Sequence, residues 1–312
     1  GLLWFGGPSH LDILPRHGHG PRQLVAGGRL IIQGIGVLSA RDVYTGRVLW
    51  RREMPHIDTF GMYYDDSFNP DPFDRSYNQV HIPGANAYGA NYVISDDLIY
   101  IASGATCEVL DMTTGQTLHQ WTLPSMPDVA EPNWGAMLLY KDNLIVPTAP
   151  FGIEKRGEDE DEEVVFQPNE PFAVGSRYLM VLDRFTGALR WARKAQYNFR
   201  HNTVIAAADR IYCVDGLSQE RMSLLARRGL IVPDKPKLYA LDVATGDVIW
   251  ESDENIDGTW LSYSEEYDIL LHAGSRARDR AGDETGRGMR AYRGATGEVI
   301  WDHNRRYYGP CI

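Results

Sequence analysis

ARDVYTGRVLW, residues 40–50, recurs along the chain as VLDMTTGQTLH (109–119), VLDRFTGALRW (181–191), ALDVATGDVIW (240–250) and AYRGATGEVIW (291–301). A pattern that returns at intervals of a few dozen residues marks a repeated supersecondary unit. Within each copy the DxxTG core reads as a tight turn. The Asp carboxylate closes an Asx turn on the backbone N–H groups that follow it. The Gly supplies the positive φ at which a type I hairpin turn ends in a bulge. The Trp that follows falls on the next strand, where a wide flat ring buries about 150–250 Å².

Each copy follows an apolar run opened by a turn signal: GGRLIIQG (27–34), DDLIYIASG (96–104), KDNLIVP (141–147), ADRIYCVDG (208–216) and EYDILLHAG (266–274). The unit is therefore strand, turn, strand, DxxTG turn and a strand ending in an aromatic ring. A blade of about four antiparallel strands cannot bury both faces alone, so the copies must stack, and radial stacking makes a β-propeller. The approximate repeats are 22–52, 91–122, 135–192, 203–251 and 259–302, within one propeller domain or a truncated part of one over 1–312.

The AxDxxTGxxxW pattern resembles the tryptophan docking motif of the quinoprotein-like (PQQ-like repeat) β-propeller family, which includes quinoprotein alcohol dehydrogenases and the outer-membrane assembly lipoprotein BamB. Residues 40–50 and 240–250 match in full, and 181–191 departs only at Val181. The second copy puts His119 at the ring position with Trp121 close by, and the fifth has Arg293 in place of Asp. On this resemblance the docking set is Asp42, Gly46 and Trp50; Asp183, Gly187 and Trp191; Asp242, Gly246 and Trp250; and Gly297 with Trp301. It implies a ring of about six to eight blades when complete. LLW (2–4) reads like the last strand of a preceding blade and RRYYGPCI (305–312) like the first of a following one, so the chain is expected to be a piece of a longer propeller. If it is the whole protein, open blade edges invite self-association, unless insertions, another chain or the irregular segments cover them.

Composition agrees with an all-β domain: 43% hydrophobic residues with 31 Gly, 17 Pro and 17 Tyr suit short strands joined by tight turns. A net charge of -11 repels phosphate backbones, which excludes nucleic acid as a partner. No apolar run is long enough to span a bilayer, and the opening GLLWFGGPSHLD lacks the pattern of a signal peptide. Cys107, Cys213 and Cys311 have no metal or redox spacing; a single disulfide stays open, and Cys213 in RIYCV reads as a small buried hydrophobe.

Four insertions interrupt the repeat, at 55–90, 151–176, 217–236 and 275–288, and propeller ligands meet such loops rather than the blades. The first offers Tyr63, Tyr64, Asp65 and Asp66 as ligand-facing residues, or packs as an Ω-like loop on its own aromatics. The second carries six adjacent acidic residues, 158–163, which read as a solvated tip without the spacing of a calcium loop. The third reads as a short helix from Ser218 to Gly229, with Met222 and Leu225 on one face, and the fourth as a charged loop. Near the start, PRHGHGP sets His17 and His19 on one face of an extended strand with Arg16 beside them. They read as ordinary loop histidines, as two metal ligands at most, or as a ligand contact at a channel mouth.

A quinone-dependent dehydrogenase needs calcium as Lewis acid and an Asp as base. The resemblance implies adjacent cysteines in such enzymes, and this chain has no CysCys. The turn residues Asp42, Asp111, Asp183 and Asp242 belong to architecture, and the GIG at 34–36 reads as a hairpin turn. The expectation is a binding or assembly scaffold, leaning away from enzyme, with no cofactor, an unassigned protein or small-molecule partner and, from the relatives, an extracytoplasmic place. The alternatives are a PQQ and calcium-dependent dehydrogenase, or a propeller hydrolase or lyase with histidines at its mouth.

Overall fold

A computed structural model describes residues 23–34, 36–57, 90–150, 152–154, 163–165, 175–217, 222–223, 226–227, 229, 235–256, 260–274 and 287–306. The described residues form β-meanders in which hydrogen-bonded neighbours run antiparallel. Blade 1 holds β1 (Leu24–Ala26), β2 (Arg29–Gly34), β3 (Val37–Asp42) and β4 (Val48–Glu53). Blade 2 holds β5 (Tyr92–Ile94), β6 (Leu98–Ser103), β7 (Thr106–Asp111) and β8 (Thr117–Thr122).

Blade 3 holds β9 (Leu138–Tyr140), β10 (Asn143–Pro150), β13 (Gly175–Asp183) and β14 (Leu189–Arg200), with the hairpin β11 (Gly152–Glu154) and β12 (Glu163–Val165) rising between β10 and β13. Blade 4 holds β15 (Ile205–Ala207), β16 (Arg210–Asp215), β17 (Lys237–Asp242) and β18 (Val248–Ser252). Blade 5 holds β19 (Trp260–Ser264), β20 (Ile269–Ala273), β21 (Arg287–Arg293) and β22 (Val299–Arg306). The long β14 pairs at Phe199 with Asp215 of β16, so blades 3 and 4 are joined in one eight-stranded sheet. The first strands of successive blades, β1, β5, β9, β15 and β19, lie next to one another and form the inner side of a β-propeller.

The repeat turns explain the hairpins. Asp42 Oδ1 accepts the N–H groups of Tyr44 (3.1 Å) and Thr45 (2.7 Å) and the Thr45 hydroxyl (2.8 Å), while Gly46 takes φ 71°. A bulge follows between Ala40 and Arg41, where the paired strand slips one register. Asp111 and Asp183 repeat this arrangement. In the fifth turn, where Arg293 replaces Asp, the carboxylate comes from elsewhere: Asp268 Oδ2 accepts the Ala295 N–H at 3.1 Å.

Each blade packs on the next through a ring and a glycine. Trp50 Nε1 donates to the Met112 carbonyl (3.1 Å), and a Cβ on Gly115 would sit 2.7 Å from its ring. Trp191 donates to Val243 (2.9 Å) over Gly246, and Trp250 to Gly294 (2.7 Å) over Gly297. The second copy, without a Trp at position 119, reaches Gly187 with Trp121 instead, on which His119 stacks at 6.4 Å. Val109 pairs with His119 and Cys107 with Trp121, so the ring has moved one pleat along the same face of β8. Aliphatic and aromatic side chains fill the rest of each interface, as with Tyr212, Val214 and Leu238 against Leu270 and Tyr292.

Cys107 and Cys213 are free thiols in separate inter-blade layers, both fully buried, and burial pushes both well above the ordinary thiol range. Gly34 pairs with Val37, and Gly36 between them takes φ 61°. In the third insertion residues 222–223 and 226–227 are helical, and Gly229 at φ 74° follows them.

Candidate functional site

Strand direction alternates within each meander, so the blade connections divide between two faces. One face carries the turns between first and second strands and the DxxTG turns between third and fourth, all short. The other carries the connections from second to third strand and from each blade to the next. All four insertions leave from that second face: 55–90 follows β4, 151–176 lies between β10 and β13, 217–236 between β16 and β17, and 275–288 between β20 and β21. Arg16, His17, His19, Tyr63, Tyr64, Asp65 and Asp66 lie outside the described residues. The turn residues Asp42, Asp183, Gly187, Trp191, Asp242, Gly246, Trp250 and Gly297 stand away from the insertions, in the blade contacts given above, and Trp301 lies on the outermost strand of blade 5.

The roots of the insertions are held by polar groups that the repeat pattern does not announce. Between blades 1 and 2, Glu108 is 3% exposed; it accepts from Thr117 (2.6 Å), Arg52 (3.3 Å) and the His56 Nε2 (2.5 Å). Burial works to raise this carboxyl, but the hydrogen bonds from Thr117 and His56 and the charge of Arg52 outweigh it and hold it below the usual range. Arg52 also donates to the Gly115 carbonyl (2.9 Å), which ties the root of the first insertion to the next blade's turn.

In the connection from blade 2 to blade 3, Asp128 meets Lys194 (2.7 Å), the Tyr178 hydroxyl and Arg177 (3.5 Å). Lys194 and Tyr178 hold its carboxyl at about 2. A carboxyl depressed below its unfolded value of about 3.9 adds stability that is complete above that pH and is lost as pH falls toward 2. Asp128→Asn is therefore expected to lower the melting temperature at pH 7, with the gap to the unaltered protein closing as pH falls from 4 to 2.5. Melting curves by circular dichroism across that range check it.

At the junction of blades 3 and 4, Asp215 is 5% exposed and accepts three consecutive backbone N–H groups, from Gln196 (2.5 Å), Tyr197 (2.9 Å) and Asn198 (2.9 Å). Burial raises its carboxyl, and the N–H bonds offset that only in part. The Ser176 hydroxyl lies 2.6 Å from His201 Nε2, and Ser176 is 2% exposed. A cavity of about 340 Å³ between the β16–β17 insertion and the β18–β19 connection is lined by buried Met222, Pro236 and Ile256 and by exposed Lys235, Asp253, Glu254 and Asn255. Arg290 props its wall by donating to the Glu254 carbonyl at 2.7 Å and to Asp302.

Among the described residues no three His, Cys, Asp or Glu side chains converge as a metal would require. The two described cysteines lie in different inter-blade interfaces. No helix among them is long and apolar enough to cross a membrane.

Residues 155–307 match the family model described as outer membrane protein assembly factor BamB. Of solved structures, quinohemoprotein alcohol dehydrogenase from Comamonas testosteroni aligns with TM-score 0.54 at 15% identity, over 94% of this chain and 44% of that one. A europium-containing methanol dehydrogenase aligns with TM-score 0.51 at 14% identity, over 92% and 51%. BamB from Moraxella catarrhalis gives TM-score 0.45 at 18% identity, over 90% and 62%. This chain thus spans between 44% and 62% of the length of these three structures. A comparison with curated protein sequences returns no match.

Proposed function

This chain belongs to the PQQ-like repeat β-propeller family, and from that premise we propose that it acts as a binding or assembly scaffold whose partner surface is the insertion face. The observation that carries the reading is the division of the connections: every long segment leaves one face, while the other keeps short repeat turns. Ion pairs and buried carboxylates fix the roots of those segments, which suits a surface presented on a rigid frame. The name of the matched family model supports a place outside the cytoplasm for this protein too. The partner is a protein or a small molecule that meets exposed charged and buried apolar side chains together, as in the cavity lined by Glu254 and Ile256.

A second reading, oxidation of an alcohol by PQQ with calcium, draws on the dehydrogenase neighbours, which share the fold at 14–15% identity. Among the described residues no cluster of His, Cys, Asp or Glu supports that reading. Two measurements test the proposal. A photo-crosslinker at Glu254 is expected to capture partners from cell-envelope extract, and one at Thr45 on the turn face is not. With PQQ and calcium added, neither a calcium-dependent rise in melting temperature nor dye-linked alcohol oxidation is expected; turnover would overturn the scaffold reading.

A further inference from the structure

The cavity at the root of the third insertion has walls that the fold itself fixes. The insertion leaves blade 4 at Gly216 and returns at Pro236, and its two ends close on each other: Gly216 takes φ 129°, and a Cβ on it would lie 2.7 Å from the Pro236 Cα. On the other side Arg290 of β21, a side chain only 6% exposed, donates to the Glu254 carbonyl at 2.7 Å and to Asp302. Asn255 takes φ 53° in that connection, with its side-chain amide 3.4 Å from Asp302. Walls that stand without a ligand lose little freedom when one binds. The volume of about 340 Å³ falls at the small end of the range for small-molecule sites.

The lining sets the chemistry of the occupant. Met222 is 6% and Ile256 4% exposed, and Pro236 is buried, so an apolar body is favoured against them. Lys235, Asp253 and Glu254 are exposed on the same lining, where two carboxylates against one ammonium leave one negative charge in excess. The neighbouring cations do not cancel it: Arg290 is matched by Asp302, and Lys237 by Glu251 at 2.8 Å. The net charge of -11 acts in the same sense, drawing cations toward the surface. We infer that this cavity binds a small organic cation, a primary ammonium on an aliphatic stem. The stem lies against Met222, Pro236 and Ile256, and the ammonium meets the Asp253 and Glu254 carboxylates. The inference rests on the insertion face being the binding surface and adds the class of ligand.

Hexylamine is the probe, titrated into protein that carries methyl-labelled methionine, with the Met222 resonance identified through Met222→Leu. That resonance is expected to shift and saturate. Hexanol and hexanoate, which share the stem and lack the ammonium, are expected to bind about fivefold or more weakly. Propylamine, with a shorter stem, is expected to bind about tenfold more weakly. Asp253→Asn combined with Glu254→Gln should weaken hexylamine about fivefold and leave the melting temperature nearly unchanged, since both side chains are exposed. Asp247→Asn combined with Glu298→Gln removes the same charge from exposed positions on the turn face and should leave hexylamine binding unaltered. A Met222 resonance that stays still, hexanoate binding as tightly as hexylamine, or equal losses in the two double variants overturns the inference. A partner captured at Glu254 while the Met222 resonance stays still sinks this inference alone and leaves the scaffold reading intact. Saturable hexylamine binding without any captured partner supports the inference and counts against an assembly role.

Discussion

Trp250→Ala is expected to lower the stability of the protein by about 3–5 kcal/mol, the range for removing a large aromatic from a packed layer. The ring stacks on Tyr292 of blade 5 at 5.9 Å and touches Tyr212 at 6.1 Å. It also spends its indole N–H on the Gly294 carbonyl at 2.7 Å. Truncation leaves a void between two blades and a carbonyl without its donor. Gly297→Val should act at the same contact from the other side: a Cβ there lies 2.6 Å from the Trp250 ring, at a φ of 73° that a β-branched residue resists. Because blades are coupled mainly to their neighbours, the loss is expected to appear as early unfolding of blade 5. Urea titration followed by hydrogen exchange checks it: amides of β20 and β21 should lose protection before those of β2 and β3. Equal loss in all blades would show that the contact is not local.

The second large effect is expected at Asp215. Its carboxylate accepts the N–H groups of Gln196, Tyr197 and Asn198 where β14 leaves blade 3 for blade 4. Asp215→Ala removes the acceptor of three backbone N–H groups, Asn198's buried and the other two part-buried, and is expected to cost roughly 2–4 kcal/mol. Asp215→Asn keeps the oxygen that serves Tyr197 and Asn198 but turns an N–H toward Gln196, so a cost of about 1–2 kcal/mol is expected. The sign of the pH dependence follows from burial. A carboxyl raised above its unfolded value contributes stability that is present below about pH 3.9 and lost as pH rises through the folded value. The deficit of the Asn variant should therefore be larger at pH 4 than at pH 7, in chemical denaturation at the two pH values. A deficit that grows toward neutral pH would mean that the ionised carboxylate is favoured by its surroundings.

The repeat turns were legible because their chemistry is local. An Asp that closes its own turn, a Gly at positive φ and an aromatic on the next strand act within one hairpin, and the structure shows that hairpin in blades 1 to 4. The groups at the roots of the insertions were not legible. Glu108 meets His56 across 52 positions and Asp128 meets Tyr178 across 50, and no spacing rule connects residues that belong to different blades. Asp215 is instructive, since it ends the apolar run RIYCVD and looks like an ordinary turn residue. Only the long β14 brings three N–H groups onto it.

By itself the sequence determined the blade: where each hairpin turns, which face of the fourth strand carries the ring, and that copies must stack to bury both faces. These follow from backbone preferences and hydrophobic period, which act over a few residues. Tertiary structure decided what lies between blades. It moved the ring of the second blade from position 119 to Trp121, supplied Asp268 to a turn that lacks its own Asp, and collected all four insertions on one face. It also left Trp301 partly exposed where its counterparts lie over a glycine. The physical reason is that packing joins residues by distance in space, and distance between blades is set by the stacking of whole sheets rather than by any one turn.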